Sequence, residues 1–258
     1  MIALAPPNPD VPFELQALSQ AANYQRWVFR SITADIGRRV MEIGAGIGNM
    51  SRWFPKCEKL ILTDTDETML DVLRASIGPG QGHITVRKFN VLADDLAPFR
   101  EENLDTIVSF NVLEHLEDDR RAMERVCSIL RNSAASETKR LITFVPAHAW
   151  AYGAIDKAFG HFRRYSRKSL ELLCASVAPE ASVKVRYLNA FGLLGWMVRG
   201  RLLKIPSISL GSIRIFEALC PILGPFDDFL HRVMHLPFGQ SLVAVMTFEK
   251  QGDKAAVR

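Results

Sequence analysis

The hydrophobic pattern along the chain alternates between short apolar runs and stretches with helical spacing. Residues 13–36 read as helix, with Leu15, Leu18, Ala22, Trp27 and Ile32 roughly marking one face and Gly37 as the stop. Strands are predicted over 38–43, 59–63, 83–89, 104–110 and 140–145, the last closed by Pro146. Helical patterns lie between them: 49–54, ended by Pro55, then 67–76, and an amphipathic 118–130 with Met123, Val126, Ile129 and Leu130 inward. Strands alternating with helices at this pitch imply right-handed βαβ units and a doubly wound, mostly parallel sheet covered on both faces.

Beyond Pro146 the alternation stops. Residues 150–159 and 169–177 look helical, broken by 160–167, and strands follow at 182–188 and 241–249, for seven in all. The fifty or so residues between those two strands are rich in Leu, Ile and Phe and punctuated by Gly and Pro; a connection that long is a cap or lid. The expected organisation is an α/β fold with an N-terminal helical segment (1–36), a core formed by 37–188 and 241–250, and a helical cap (189–240) inserted before the last strand.

A chain of 258 residues with 48% hydrophobic and 23% charged residues suits one globular α/β domain with additions. Cys57, Cys127, Cys174 and Cys220 lie far apart and no pair has metal-site spacing, so reduced thiols, a cytoplasmic setting and no metal are expected. Residues 1–12 lack the basic-then-apolar order of a signal peptide. Residues 1–150 hold 17 basic and 20 acidic side chains, and residues 151–258 hold 15 and 8. The basic half could face an anionic substrate, a membrane surface or nucleic acid, or form a solvated surface.

The candidate chemistry begins at Glu42-Ile43-Gly44-Ala45-Gly46-Ile47-Gly48-Asn49. A strand running into a glycine bend is a recurring nucleotide site, because glycine accepts positive φ and admits a ligand close to the backbone. The spacing is not that of the dinucleotide fingerprint. Glu42 would repel a pyrophosphate and suit a ligand with a cationic amino-acid end. Asp64 follows at the end of the second strand, placed to accept from ribose hydroxyls; Thr65 adjoins it. Then come Asn90 and Val91 after the third strand, and Asn111-Val112-Leu113-Glu114-His115-Leu116-Glu117-Asp118 after the fourth.

In that order and spacing, residues 38–146 resemble the class I S-adenosylmethionine (SAM)-dependent methyltransferases. The resemblance implies SAM as cofactor, held by Glu42, Gly44, Ala45, Gly46, Gly48, Asn49, Asp64, Thr65, Asn90, Val91, Asn111, Val112, His115 and Tyr24. Asn90 stands where the family usually has Asp for the adenine amino group, and its side-chain oxygen can still accept. The stretch from Val145-Pro146-Ala147-His148 through Asp156 to Gly160-His161-Phe162-Arg163-Arg164-Tyr165-Ser166 is similar to one in bacterial methyltransferases of small molecules and lipids.

Four side chains are therefore candidates for catalysis: His148, His161, Tyr165 and His115. Arg163 and Arg164 are candidates for an anion clamp, with Trp150, Trp196 and Phe191 as further substrate contacts. The alternative for the arginine loop is a polar cap on the next helix. The expected reaction is in-line methyl transfer to a small, largely apolar acceptor, with an anionic end as an option. An RNA or protein methyltransferase using the basic half, and an inactive SAM-binding scaffold, are the alternatives; no basic run with interleaved aromatics favours nucleic acid. Residues 188–210 are too often broken by Arg199, Arg201 and Lys204 to span a bilayer. They remain open as a peripheral membrane anchor, a lid, a homodimer face or plain core.

Overall fold

The computed structural model describes residues 2–4, 8–135, 138–205 and 209–249, without the side chains of Glu14, Gly200 and Arg201. Parts of the 188–210 stretch and residue 250 of the expected core thus lie outside the described residues. Seven strands form one sheet: β1 (Arg39–Ile43), β2 (Lys59–Asp64), β3 (Ile84–Lys88), β4 (Thr106–Phe110), β5 (Lys139–Pro146), β6 (Ser182–Leu188) and β7 (Ser241–Phe248). Their order is β3-β2-β1-β4-β5-β7-β6. The first five run parallel, and β7 enters antiparallel between β5 and β6. The central strands β1 and β4 are buried at every position but Arg39, as a sheet covered on both faces requires.

Two apolar layers cover the sheet. One packs α4 (Asp119–Asn132) and α6 (Arg167–Val177) against Met41, Ile107, Leu141 and Met246. The other sets α2 (Ala22–Arg30), through Trp27, Val28 and Phe29, against Val40, Val108 and Ile142. The helix α3 (Glu67–Ser76) follows β2 and is capped by Asp66, whose carboxylate accepts from the Thr68 N–H at 2.8 Å.

Three expected helices are corrected. Residues 13–36 form two helices, α1 (Phe13–Ser19) and α2, followed by a 3-10 turn at Thr33–Asp35. The end of α1 is fixed by side chains that take its last carbonyls, Gln25 Nε2 on Leu18 O and Arg52 Nη2 on Ser19 O. After the glycine bend only a 3-10 turn forms, Ser51–Trp53. Pro55 holds Phe54 extended (ψ 135°) and stops propagation. Residues 150–159 give a 3-10 turn (Ala149–Ala151) and a short α5 (Ala154–Ala158).

The cap is more regular than its Gly and Pro content suggests. Helix α7 (Ala190–Trp196) continues as a π-helical turn at Met197–Leu202. Then α8 (Leu210–Arg232) runs 23 residues straight through Pro221 and Pro225. Trp27 lies flat under Gly224, where an added Cβ would stand 3.2 Å from the indole. Asp227, fully buried, accepts from the N–H groups of Asn189 and Ala190 at 2.9 and 2.7 Å and pairs with His231 at 3.0 Å.

Asp227→Ala is expected to leave the buried N–H groups of Asn189 and Ala190 without partners, to remove the His231 ion pair, and to cost about 2–4 kcal/mol. Chemical denaturation followed by far-UV circular dichroism reads it; a midpoint equal to that of the parent protein would show that the cap is not anchored through this carboxylate.

Candidate active site

The glycine bend takes the predicted form. Gly44, Gly46 and Gly48 have φ of 73°, 53° and 85°, values a side chain tolerates poorly. Gly44 also has no room for one, since an added Cβ would stand 2.4 Å from Val112 Cγ2. The bend is tied down from three sides. Ala45 N–H donates to Thr63 O at 2.8 Å, Gly46 N–H to Asp64 Oδ2 at 2.8 Å, and Asn49 Nδ2 to Leu15 O at 2.9 Å. The last bond brings α1 over the bend. With no full helix after it, the bend lacks the strong N-terminal dipole that draws a pyrophosphate.

Glu42 sits under the bend, 1% exposed, and accepts from Ser51 Oγ at 2.5 Å. Burial, partly opposed by that hydrogen bond and reinforced by Asp64, raises its pKa to about 8. A buried carboxyl poised there is matched to a ligand that brings its own positive charge. Asp64 uses one oxygen on Gly46 and receives Asp66 N–H on the other at 3.1 Å, leaving lone pairs toward the crevice; Thr65 is exposed beside it.

At the third strand's end Asn90 is exposed, but its side-chain oxygen already accepts from Leu92 N–H at 2.9 Å. Val91 is buried in the core below, so only its backbone is available. Asn111 has φ 52° and donates its N–H to Phe144 O at 2.8 Å, while Val112 closes over Gly44. Tyr24 lies between α2 and α8, edge-on to Trp27 and Phe216, and burial pushes its hydroxyl pKa up. Bend, Asp64, Asn90 and Asn111 thus follow the carboxyl ends of four adjacent parallel strands, where open α/β sheets bind ligands.

The acceptor-side candidates separate into two sets. His115 and His161 come together, their rings edge-to-face at 4.7 Å. Desolvation and the neighbouring His161 lower the His115 pKa to about 4, so it is neutral at physiological pH. His148 stacks on Tyr187 at 5.2 Å, lies 4.9 Å from the exposed Trp150 ring, and keeps a buried Nε2 without a partner. Burial and Arg164 lower its pKa, which keeps it neutral and able to accept a proton.

The other set is engaged within the protein. Tyr165 donates its hydroxyl to Asp119 Oδ2 at 2.6 Å, and burial raises its pKa further from any base role. Arg163 binds Asp119 at 2.8 Å and Glu117 O at 2.7 Å. Arg164 is buried on Asp156 at 2.7 Å and Ala147 O at 3.1 Å, over the Trp196 ring. The two arginines therefore brace the loop instead of forming an open anion clamp, because fixed acceptors already satisfy both guanidinium groups. Trp196 is buried as the platform under Arg164, and Phe191 packs against Phe226 on the cap. Nothing in the sequence pointed to a role for Ser51, which supports Glu42, or for Asp119, whose partners Arg163 and Tyr165 lie over 40 residues away. For Glu114 a local signal existed, an acidic residue beside His115 in the turn after β4.

Comparison with known proteins agrees with this fold. Residues 41–135 match the family model described as "Methyltransferase domain". No curated protein sequence matches the chain. Among solved structures, the chain is similar to a SAM-dependent methyltransferase from Archaeoglobus fulgidus, with a TM-score of 0.52 and 15% identity over 92% of this chain and 100% of that one. It is also similar to the putative methyltransferase complexed with the Trm112 activator in Haloferax volcanii (TM-score 0.57, 11% identity, 92% and 96% covered). The N-methyltransferase NodS of Bradyrhizobium japonicum, solved with S-adenosylhomocysteine, gives a TM-score of 0.50 at 15% identity, with 94% and 90% covered. Residues 41–135 thus match a methyltransferase domain, and the fold around them is the one seen in SAM-dependent methyltransferases.

Two substitutions test the cofactor site. Asp64→Ala is expected to weaken SAM binding by at least about tenfold in calorimetry, the loss of charge-assisted hydrogen bonds; unchanged affinity would remove Asp64 from the site. Glu42 holds its proton up to about pH 8 in the folded protein and only to about 4.5 in the unfolded chain. Between those values the folded state binds more protons, so stability falls as pH rises. Glu42→Gln should therefore gain about 1–3 kcal/mol at pH 8.5, nothing near pH 4.5, and lose SAM affinity. Melting curves at both pH values, with an equal gain at each, would contradict the assignment.

Proposed function

We propose that this enzyme methylates a small amphipathic molecule with a largely apolar body, taken up at an anionic membrane surface. The 1–36 and 189–240 segments act together as the cap through which it enters. SAM supplies an electrophilic methyl group on a sulfonium. The protein supplies the fixed cradle of the glycine bend, the Asp64 carboxylate and the Asn111 turn, and a neutral His148 to accept the acceptor's proton.

One observation carries the membrane part. Along α8, Ile215, Leu219, Ile222, Phe226, Phe229 and Val233 are spaced by four, three, four, three and four residues, and each is between 45% and 72% exposed. Such a spacing makes one continuous apolar stripe, and Leu194, Val198 and Leu202 extend exposed apolar surface onto the preceding helical turn. The cap's charges are sorted around it. Glu217 is turned inward onto the N–H groups of Asn23 and Tyr24, Asp228 accepts from Trp27 Nε1, and Asp227 is buried. Lys204, Arg214 and Arg232 are exposed. An apolar stripe with cations at its margins fits the boundary between acyl chains and anionic headgroups. Among the described residues no helix is long and apolar enough to cross a membrane.

Sedimentation with phosphatidylglycerol vesicles tests the reading. Binding should exceed that to phosphatidylcholine vesicles, fall with salt, and drop at least about tenfold in an Ile222→Glu, Phe226→Glu double variant. Equal binding by the double variant would sink it. A dimer in solution that the same two substitutions dissociate would reassign the stripe to a subunit interface.

A further inference from the structure

The turn after β4 and the loop after α5 bring two of the histidine candidates, His115 and His161, against the buried Glu114. Glu114, His115 and His161 each offer one ligand atom, and these atoms lie within 4.8 Å of one another. Glu114 is fully buried, and neither of its carboxylate oxygens has a hydrogen-bond partner among the described residues. A buried carboxylate without a partner is costly and calls for a missing one.

The surroundings are those of a built site. His161 Nδ1 is held by Asp156 Oδ1 at 2.9 Å, which leaves Nε2 as the free ring nitrogen. Asp156 is itself fixed by Gly153 N–H at 2.9 Å and Arg164 Nε at 2.7 Å, and is fully buried. A carboxylate orienting a histidine from behind is the usual outer support of an imidazole that binds a metal. The two segments are clamped by Phe162 N–H on Glu114 O at 2.8 Å. His115 is exposed, so one side of the group is open. Metal–ligand bonds of about 2.0–2.2 Å put ligand atoms about 3–4 Å apart, a spacing that small side-chain rotations reach from here.

We propose that Glu114, His115 and His161 bind one divalent transition-metal ion. Two imidazoles and one carboxylate favour ions such as zinc or iron(II) over magnesium, and leave open positions for an oxygen of the acceptor. The inference rests on the methyl-transfer reading and sharpens it: the methylated atom is a hydroxyl oxygen. An ion held there would make such a hydroxyl more acidic, and its proton would pass to solvent. The hydroxyl oxygen then forms the new bond to the methyl carbon as the carbon–sulfur bond breaks, and the electron pair stays on sulfur.

Cobalt(II) alone is the probe, added to the full chain and followed by visible absorbance. One equivalent should bind, with zinc displacing it and an excess of magnesium failing to. Glu114→Gln and His161→Ala should each weaken binding at least about tenfold, as should His115→Ala, which alters only an exposed side chain; Asp156→Asn should cost about 10–100-fold. His83→Ala, at the far end of the sheet, should change nothing. Calorimetry with S-adenosylhomocysteine on every variant confirms an intact cofactor site. No spectral change up to about 1 mM cobalt, or binding indifferent to Glu114→Gln and His115→Ala, would overturn the metal site. Failure of the parent protein to bind S-adenosylhomocysteine would overturn the methyltransferase reading instead.

Discussion

The structure turns on one hydrogen bond, from the Gly46 N–H to the Asp64 carboxylate at 2.8 Å. It joins the loop after β1 to the end of β2, and it can form only because the two strands stop together. Their parallel register pairs Arg39 with Lys59 and Ile43 with Thr63, so the bend leaves β1 level with the last turn of β2. On the other side β1 pairs with β4, Ile43 opposite Ser109, which brings the Asn111 turn up to the same edge. Shifting either pairing by one residue would exchange the side chains that meet the two apolar layers and carry the bend away from Asp64. The apolar sheet thus fixes the polar edge, and the glycines need only follow.

That edge was legible in the sequence because its signals are local. Apolar runs give the strands, glycine gives the bend, and an acidic residue at a strand end gives Asp64. The strand limits agree to within two residues, and 182–188 matches β6. The failures are equally physical. Periodicity alone carries no mark of the break between α1 and α2, which Gln25 and Arg52 set by taking carbonyls across the gap. The expected helical cap is there, and its long helix α8 passes through two prolines, pinned by Trp27 against Gly224 and by Asp227 at the chain's return. The arginine loop misled for a related reason. Its acceptors, Asp119 and Asp156, lie outside the motif, so the sequence offers two free cations where the fold has two braces.

Charge is treated differently on the two sides of the cleft. On the cofactor side Glu42 is buried with one neutral donor, Ser51, and holds a proton at neutral pH. This arrangement is inexpensive until a cationic ligand arrives, and then makes ionisation favourable at one spot only. On the acceptor side Asp156 is buried but fully compensated by Arg164, His161 and a backbone donor, which makes it a rigid support. The pKa of Glu114 is likewise pushed up to about 8 by burial, against the pull of Arg164, but its carboxyl oxygens have no hydrogen-bond donor among the described residues. A group that the fold buries but does not satisfy costs stability in the resting protein, so its use lies in what it meets during function.

The same economy appears in the cap. Each of its acids is spent on anchoring, Glu217 and Asp228 on α2 and Asp227 on the start of α7. Attachment through buried carboxylates leaves the outer surface to apolar side chains and cations. A cap held by its hydrophobic face would have had to bury the stripe that α8 leaves exposed. The inner face carries both these polar contacts and the packing of Ile213, Phe216, Cys220 and Gly224 on α2, and the apolar stripe lies on the other side. On the reading proposed above, substrate entry and cofactor binding are thereby separated, because the outer face of the cap and the sheet edge set by β1, β2 and β4 are built from different contacts.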